Sequence, residues 1–349
     1  MNANQIGVDQ STFKAALSEK VQEVERRAKA ANSQLSEYRR EHGKLQVFFD
    51  ELKDLIPTIA PQPLSITKHK STKVSSPCCA VMCVNDLHYG AVQDASEVEG
   101  FGEFSPEIAK ARMTSYTEKA LNWVELHRTN YTINELVVLA LGDLISGDIH
   151  DELRVTNAFP APVQCVGAGE LIAAQIAALA PHFEKVRVEF VVEDNHARLT
   201  KKPQAKEAGL NSFNYIVGYI AKTLLKEHKN VVFNMYPQYE ATVTVLNSRY
   251  LLCHGHGVMG WAGFPWYGVE RKISKEALKR MNGPDMNKFN RVIGGHWHTP
   301  LATPWYWFSG SVSGTDAYDH KQGRHSVPSQ AAWIVHPRYN EFDRTDFEL

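Results

Sequence analysis

The chain has 349 residues, of which 43% are hydrophobic and 22% are charged, and its formal net charge is -1. This length accommodates one large domain or two smaller ones, and the composition is that of a globular protein with a sizeable core. The nearly balanced charge excludes a protein that coats nucleic acid by bulk electrostatic attraction, although a local basic patch is compatible with it.

The cysteines and the hydropathy pattern indicate the cellular compartment of the protein. The five cysteines show no CxxC spacing, and we interpret them as reduced thiols of the core. The N-terminus has no apolar segment of the signal-peptide type, and no apolar run approaches the roughly 20 residues that a membrane span needs. We therefore expect a cytoplasmic protein without a membrane partner.

Residues 1–56 carry a heptad pattern. Apolar residues recur at alternating spacings of four and three, with Lys, Arg and Glu between them, at Phe13, Leu17, Val21, Val24, Ala28, Ala31, Leu35 and Tyr38. After a break at His42, the pattern continues through Leu45, Phe49 and Leu52. Such a pattern predicts either a coiled coil, which dimerises the protein or docks it on a partner, or an amphipathic helical hairpin that folds against the main domain. Both interpretations stay open.

A segment rich in Pro, Ser, Thr and Lys spans residues 57–77, and its composition predicts a linker. In the second domain, residues 78–349, short apolar runs alternate with helical patterns. The predicted helices are Pro106 to His127, Val163 to Ala180 and Phe213 to His228. The predicted strands are Ala80 to Val84, Leu136 to Leu141, Val186 to Val192, Thr242 to Leu246, Tyr250 to Cys253, Arg291 to Ile293, Trp305 to Phe308 and Ala331 to Val335. This alternation predicts a layered α/β fold, with a mixed second sheet where helices become rare.

Polar blocks come directly after five of the apolar runs. They are Asp86-Leu87-His88, Gly142-Asp143, Asn195-His196, His254-Gly255-His256 and Gly295-His296-Trp297-His298. Ligands of open α/β sheets gather beyond the carboxyl ends of the strands, so these blocks are predicted to meet at one edge. Together they supply enough oxygen and nitrogen ligands for two adjacent divalent ions. Two-metal sites of this kind attack phosphorus, so the sequence predicts a phosphoester hydrolase.

The order of the five blocks, between Ala80 and His336, resembles the calcineurin-like metallophosphoesterase superfamily. The resemblance implies a four-layer α/β sandwich, in which two mixed sheets are flanked by helices. It also implies one metal held by Asp86, His88 and His298, a second held by Asn195, His254 and His296, and Asp143 as the bridge between them.

The resemblance further implies that a hydroxide between the ions attacks phosphorus. His196 would contact the phosphate and protonate the leaving oxygen, with orientation of Asn195 as the alternative. His256 either replaces His254 as a ligand or lines the substrate pocket. The mixed oxygen and imidazole ligands fit Mn²⁺, Fe²⁺ or Zn²⁺. We expect two Mn²⁺ ions, with Fe²⁺ and Zn²⁺ as the alternatives.

Three features depart from the common motifs of the superfamily. Ser146 stands where an acid or amide is usual, and Asp148, His150 or Asp151 could substitute for it. Asp194 replaces the usual glycine before Asn195, and would bias metal choice or orient His196. An acidic stretch over residues 93–107 could form a lid.

Basic and aromatic residues near the blocks bear on the substrate. Arg198 and Lys201 come after His196 and could grip a phosphodiester, whereas Trp266 and Tyr267 fall in a Gly/Pro loop and could stack on bases. Trp305 and Trp307 are interpreted as core residues. We predict a phosphodiesterase acting on nucleic acid, an exo- or endonuclease resembling the DNA-repair branch of the superfamily. The alternatives are a phosphatase or phosphodiesterase for small nucleotides or phosphoproteins, and a scaffold that has lost its activity.

Overall fold

The computed structural model describes residues 76–258, 265–284 and 288–349, together with nine helical residues between Lys20 and Ser36. The chain forms two compact units, Met1–Pro57 and Thr58–Leu349. The heptad residues and nearly all of the linker lie outside the described residues, so the coiled coil, the oligomer and the linker stay predictions. Among the described residues of the first unit, Glu23 pairs with Arg26 and Arg27, one turn further along the helix.

The second unit alternates strands and helices along most of its length. Its strands are β1 (Pro77–Val84), β2 (Thr132–Ala140), β3 (Lys185–Val191), β4 (Val231–Tyr236), β5 (Ala241–Val245), β6 (Ser248–Leu252), β7 (Arg291–Gly294), β8 (Leu301–Ala302), β9 (Tyr306–Phe308), β10 (Ser329–His336) and β11 (Asn340–Glu348). Its helices are α1 (Pro106–His127), α2 (Asp151–Thr156), α3 (Ala161–Leu179), α4 (Phe213–Leu224), α5 (Trp266–Met281) and α6 (Ala317–Lys321).

The strands form two mixed sheets. The first has the order β11-β10-β1-β2-β3-β4, and its four strands from β1 to β4 are parallel. The second has the order β5-β6-β7-β9-β8, with β6, β7 and β9 parallel. The parallel strands of each sheet therefore end at one edge, which is where ligands collect in such folds.

The main core lies between the two sheets. Val81 of β1, Leu139 of β2 and Trp333 of β10 in the first sheet are buried in one cluster with Tyr250 and Ile293 of the second sheet. The other face of β3 packs on a helix, because Gly218 of α4 lies directly against Phe190. On the far side of the second sheet, Val269 of α5 joins a separate buried cluster. The predicted arrangement of two mixed sheets with flanking helices is confirmed.

Helix α3 is the most apolar helix described. The run Ala161–His182 is long and apolar enough to cross a membrane by length and composition, contrary to the expectation that no such run exists. However, 67% of its window is buried inside the unit, where α3 packs against α1 and α4. Its composition is therefore explained by its place in the core.

The predicted elements are present, with shifted ends, and β4, β8 and β11 are strands that the sequence did not predict. β11 is an edge strand with the polar sequence NEFDRTDFE, which contains no apolar run. α5 begins at Trp266, so the prediction that Trp266 and Tyr267 lie in a loop is wrong. Trp307 contacts the ring of buried Trp333, but Trp305 precedes β9 and is 58% exposed, so its predicted place in the core is wrong.

Candidate metal centre

The five polar blocks meet at the carboxyl edge of the two sheets. Asp86 comes after β1, Asp143 after β2 and Asn195 after β3 in the first sheet. The loops are joined by backbone hydrogen bonds, such as the one from the Asp86 N–H to the Gly142 carbonyl at 3.1 Å. From the second sheet, the Gly295 N–H donates to the His254 carbonyl at 2.9 Å.

Several of the predicted ligands have a left-handed backbone. Positive φ angles between 44° and 73° occur at Asp86, His88, Asp143, His296 and His298. Such angles are uncommon outside glycine and carry an energetic cost that the surrounding structure must offset. Their concentration in these loops indicates that the chain bends sharply after each strand to direct side chains toward one point.

The first cluster contains Asp86, His88 and His298. Asp86 Oδ1 lies 3.9 Å from Nε2 of each histidine, and the two Nε2 atoms are 3.2 Å apart. Asp86 Oδ2 accepts hydrogen bonds from Asn85 Nδ2 and from the His296 N–H, at 2.6 and 2.8 Å. Asp86 Oδ1 is buried and has no hydrogen-bond partner. A buried carboxylate oxygen without a donor is costly, and a cation among these three side chains would remove that cost.

The second cluster contains Asp143, Asn195, His254 and His296. His254 Nε2 lies 3.0 Å from Asp143 Oδ2 and 2.9 Å from Asn195 Oδ1. Donor atoms of Asp143, His254 and His296 lie within 4.8 Å of one another. Asp143 also groups with His88 of the first cluster at the same spacing. Asp143 therefore lies between the clusters, which is the position of a bridging ligand.

Burial and neighbouring charges set the protonation of this region. Burial and the neighbouring His196 lower the pKa of His88 well below its usual value, and burial with His254 does the same for His296. Burial alone would raise the pKa of Asp143, but His254 and His196 hold it well below the ordinary range. His88, His296 and Asp143 are thus in the protonation states that bind a divalent cation. His254 and His298 differ, because burial lowers the pKa of each imidazole but Asp143 and Asp319, respectively, outweigh it and raise the pKa to about 10.

Three histidines have their Nδ1 atoms fixed by acceptors. Nδ1 of His254 lies 2.9 Å from the Leu141 carbonyl, and Nδ1 of His196 lies 2.7 Å from the Ser146 carbonyl. Nδ1 of His298 lies 2.6 Å from Asp319 Oδ2. A carbonyl or a carboxylate can only accept, so each Nδ1 must carry the proton. Each Nε2 is thereby directed to the clusters, as a ligand or a proton donor requires.

The Nδ1 atom of His196 contacts a backbone carbonyl. Asp148, His150 and Asp151 are the candidates to substitute for an acid at position 146, but none of them binds His196 Nδ1. The backbone carbonyl of Ser146 contacts this atom instead. The side chain at position 146 therefore does not have to supply an acceptor. His196 Nε2 lies 3.9 Å from Asp143 Oδ2, at the border of the two clusters.

Asp194 joins two of the site's loops. Its carboxylate accepts from the Asp143 N–H at 2.6 Å, from the Ala197 N–H at 2.8 Å and from Asn214 Nδ2. These bonds hold the backbone on either side of Asn195. The carboxylate is directed at these donors, which is the arrangement expected of a residue that positions the two loops.

The geometry separates His254 from His256. His256 Nε2 lies 3.4 Å from Glu193 Oε1, and its ring packs against Tyr239 with centroids 5.3 Å apart. His254, by contrast, contacts Asp143 and Asn195 directly. The arrangement favours His254 as the ligand and places His256 beside the site.

The predicted substrate-binding residues lie in two places. The Arg198 guanidinium donates to the Thr200 and Lys201 carbonyls, and Lys201 Nζ pairs with Asp151 at 2.6 Å. The Arg198 and Lys201 side chains are thus already engaged with neighbouring groups of the protein. Trp266 and Tyr267, at the start of α5, are 52% and 76% exposed.

Asp319 has no counterpart among the residues predicted from sequence. It lies in α6, 21 residues after His298, and a polar loop comes after it. Its contact with His298 depends on the tertiary path of residues 311–326, which no local pattern reveals.

No family model and no curated protein matches the sequence. Similar solved structures include Vps29 with Zn²⁺ from Entamoeba histolytica, 13% identical with a TM-score of 0.30, covering 77% of this chain and 99% of that one. A Streptococcus pneumoniae protein described as a predicted phosphoesterase is 10% identical, with a TM-score of 0.26 and coverage of 52% and 91%. SoxB sulfate thiohydrolase from Thermus thermophilus is 8% identical, with a TM-score of 0.30 and coverage of 80% and 58%. Identities and TM-scores this low do not establish a function.

Proposed function

We propose that the protein is a phosphoester hydrolase that depends on two divalent metal ions. One observation carries this proposal. Two groups of buried ligand atoms, one around Asp86 Oδ1 and one around His254 Nε2, lie on either side of Asp143. The donor set of carboxylates, imidazoles and one amide oxygen suits Mn²⁺, Fe²⁺ or Zn²⁺, and Mn²⁺ is our first choice.

Each residue of the site has a proposed role. Asp86, His88 and His298 would hold the first ion, and Asn195, His254 and His296 the second, with Asp143 shared between them. When bound, a pair of such ions lowers the pKa of water and neutralises charge on a phosphoryl group. His196, whose Nδ1–H is fixed by the Ser146 carbonyl, presents Nε2 at the border of the clusters. It would give a proton to the leaving oxygen.

We further propose a phosphodiester of nucleic acid as the substrate. The support is the exposure of Trp266 and Tyr267, since exposed aromatic rings stack on unpaired bases. Arg198 and Lys201 would contact the phosphate backbone only after exchanging their present partners, so they contribute less to this proposal than the aromatic residues.

A small nucleotide is the second candidate substrate, and a cavity favours it. The cavity has a volume of about 490 Å³ and is lined by Gln204, Ala205, Glu207, Ala208, Leu210, Pro237, Gln238 and Tyr239. That volume is in the range of sites for small ligands. The ring centroids of Tyr239, which lines the cavity, and His256 are 5.3 Å apart, and the His256 centroid is 6.2 Å from that of His296, so two rings connect the cavity to the second cluster.

Three substrates separate these possibilities. The full chain is loaded with Mn²⁺ and incubated with single-stranded DNA, with a nucleoside 5'-monophosphate and with an aryl phosphodiester. Cleavage of DNA supports the nuclease, and release of phosphate from the monophosphate supports the second candidate. Turnover of the aryl diester alone would contradict both substrate proposals but keep the hydrolase. No turnover of any substrate, with two ions bound, would favour the inactive scaffold.

A further inference from the structure

Asp319 stands apart from the other acceptors around the site. Of the three histidines whose Nδ1 is fixed, His196 and His254 use neutral backbone carbonyls, and only His298 uses a carboxylate. The bond from His298 Nδ1–H to Asp319 Oδ2 is 2.6 Å long, which is short for a nitrogen donor, as expected when the acceptor is charged.

The carboxylate of Asp319 is itself held in place. Arg324 Nη2 lies 2.6 Å from Asp319 Oδ1, the oxygen that does not contact His298. The Arg324 N–H also donates to the Asp319 carbonyl at 2.9 Å, and the Asp319 N–H donates to Asp316 Oδ1 at 2.7 Å. Asp319 is 2% exposed, so its orientation is fixed from three directions.

The segment that carries Asp319 is anchored to one loop of each sheet. The Ala317 N–H donates to Gln93 Oε1 at 2.9 Å, and Ser326 Oγ donates to the His298 carbonyl. Both ends of residues 316–326 are therefore tied to the region of the first cluster. The ring of His298 is held by this segment as well as by its own loop.

We propose that Asp319 is a positioning residue for the first metal site: it fixes the His298 ring so that Nε2 faces Asp86 Oδ1 and His88 Nε2, and it strengthens His298 as a ligand. The inference rests on the proposed metal centre. A carboxylate that accepts from a ligating imidazole makes the imidazole more basic, and loss of such a partner typically lowers metal affinity by about 10- to 100-fold. The second site has no such carboxylate on His254, so the two sites differ in how strongly their histidines are supported.

The test compares Asp319→Asn with Asp316→Asn. Asp316 Oδ2 is 4.0 Å from His298 Nδ1, so its replacement removes a nearby charge without removing the hydrogen bond. Asn also caps helices well, so the control should keep α6 intact. The full chain is stripped of metal and titrated with Mn²⁺, and the bound ions are counted and their affinities measured.

Asp316→Asn is expected to bind both ions with the affinities of the wild type. Asp319→Asn is expected to lose about 10- to 100-fold in the affinity of one ion only. A second readout is the proton spectrum of the Zn²⁺-loaded protein, in which a downfield His298 Nδ1–H resonance should move upfield only in Asp319→Asn. If Asp319→Asn fails to fold, Arg324→Gln should weaken the same ion by a smaller factor.

Equal affinities of both ions in wild type and Asp319→Asn would overturn the inference. An equal loss in Asp316→Asn and Asp319→Asn would also overturn it, because charge alone would then explain the effect. These outcomes are distinct from failure of the proposed function. If the wild type binds no ions, the metal centre is wrong. If it binds two ions but cleaves no phosphoester, the hydrolase proposal fails while the comparison of affinities still tests Asp319.

Discussion

Asp194 Oδ2 accepts a hydrogen bond from the backbone N–H of Asp143 at 2.6 Å, across 51 residues of sequence. The same carboxylate binds the Ala197 N–H and Asn214 Nδ2, so one buried acid joins the loops after β2 and β3 with α4. The loops that carry Asp143 and Asn195 thus share an anchor, and both the stability of the protein and the geometry of the site should depend on it.

Replacing Asp194 by Ala should destabilise the protein. Three buried donors lose their acceptor, and each such loss costs about 1–3 kcal/mol. We expect a total decrease of at least about 3 kcal/mol in the free energy of unfolding, which is the sum of three such losses at their lower limit. Urea unfolding monitored by circular dichroism measures it. Asp151→Ala, which removes an exposed carboxylate, is the control and should leave the free energy within about 0.5 kcal/mol of wild type. A similar midpoint for Asp194→Ala and wild type would contradict the anchoring role.

Replacing Asp143 by Asn should abolish turnover. The change keeps the shape of the side chain but removes the charge that faces both clusters. We expect a loss of more than about 100-fold, the upper end for residues that only orient a metal ligand. The loss is checked by measuring initial rates with saturating Mn²⁺ on the substrate, among the three, that the wild type cleaves fastest. Turnover within about tenfold of wild type would show that Asp143 does not bridge the two clusters.

Much of the fold and of the site could be predicted because the signals are local. Each ligand block comes directly after an apolar strand such as Ala80 to Val84, and parallel strands bring the residues beyond their carboxyl ends to one edge. The sequence pattern alone therefore predicts that Asp86, Asp143 and His254 lie close together, and no tertiary contact has to be known in advance. The structure places every predicted ligand in one of the two clusters, although their binding of metal stays a prediction.

Several of the features that were missed depend on contacts between distant segments. Asp319 reaches His298 through a loop of irregular structure, and the Ser146 carbonyl replaces a side chain as the acceptor for His196. A backbone carbonyl has no sequence signature, so no pattern could have identified it. The same holds for β11, whose polar residues form a strand because β10 supplies its hydrogen bonds.

The cysteines should be unreactive in the native protein. All five are buried, and burial raises the pKa of the Cys165 thiol from 9.0 to about 12. The thiol form is thus favoured by folding. The contribution of the Cys165 thiol to the free energy of unfolding is complete below pH 9.0. It is lost as the pH rises toward 12, where the thiol ionises in the folded protein as well. At a pH of about 8, below the ordinary thiol pKa, a disulfide-exchange reagent should modify few thiols in buffer and all five in urea. Rapid modification of Cys165 in buffer would contradict its burial in α3.

Replacing His196 by Gln should separate its two proposed roles. If His196 donates a proton to the leaving oxygen, the rate should fall by about 10²- to 10⁴-fold while both metal affinities stay near those of wild type. Gln can still donate to the Ser146 carbonyl but cannot supply an acidic proton at Nε2. If His196 instead orients Asn195, the affinity of the second ion should fall together with the rate.

A substrate with an aryloxide leaving group sharpens the test of His196, because such a group needs no proton. Its turnover by His196→Gln should be much less affected than that of an alkyl phosphodiester, and an equal loss on both substrates would exclude the acid role. The geometry favours that role, since His196 Nε2 lies at the border of the two clusters and its Nδ1 is committed to a carbonyl.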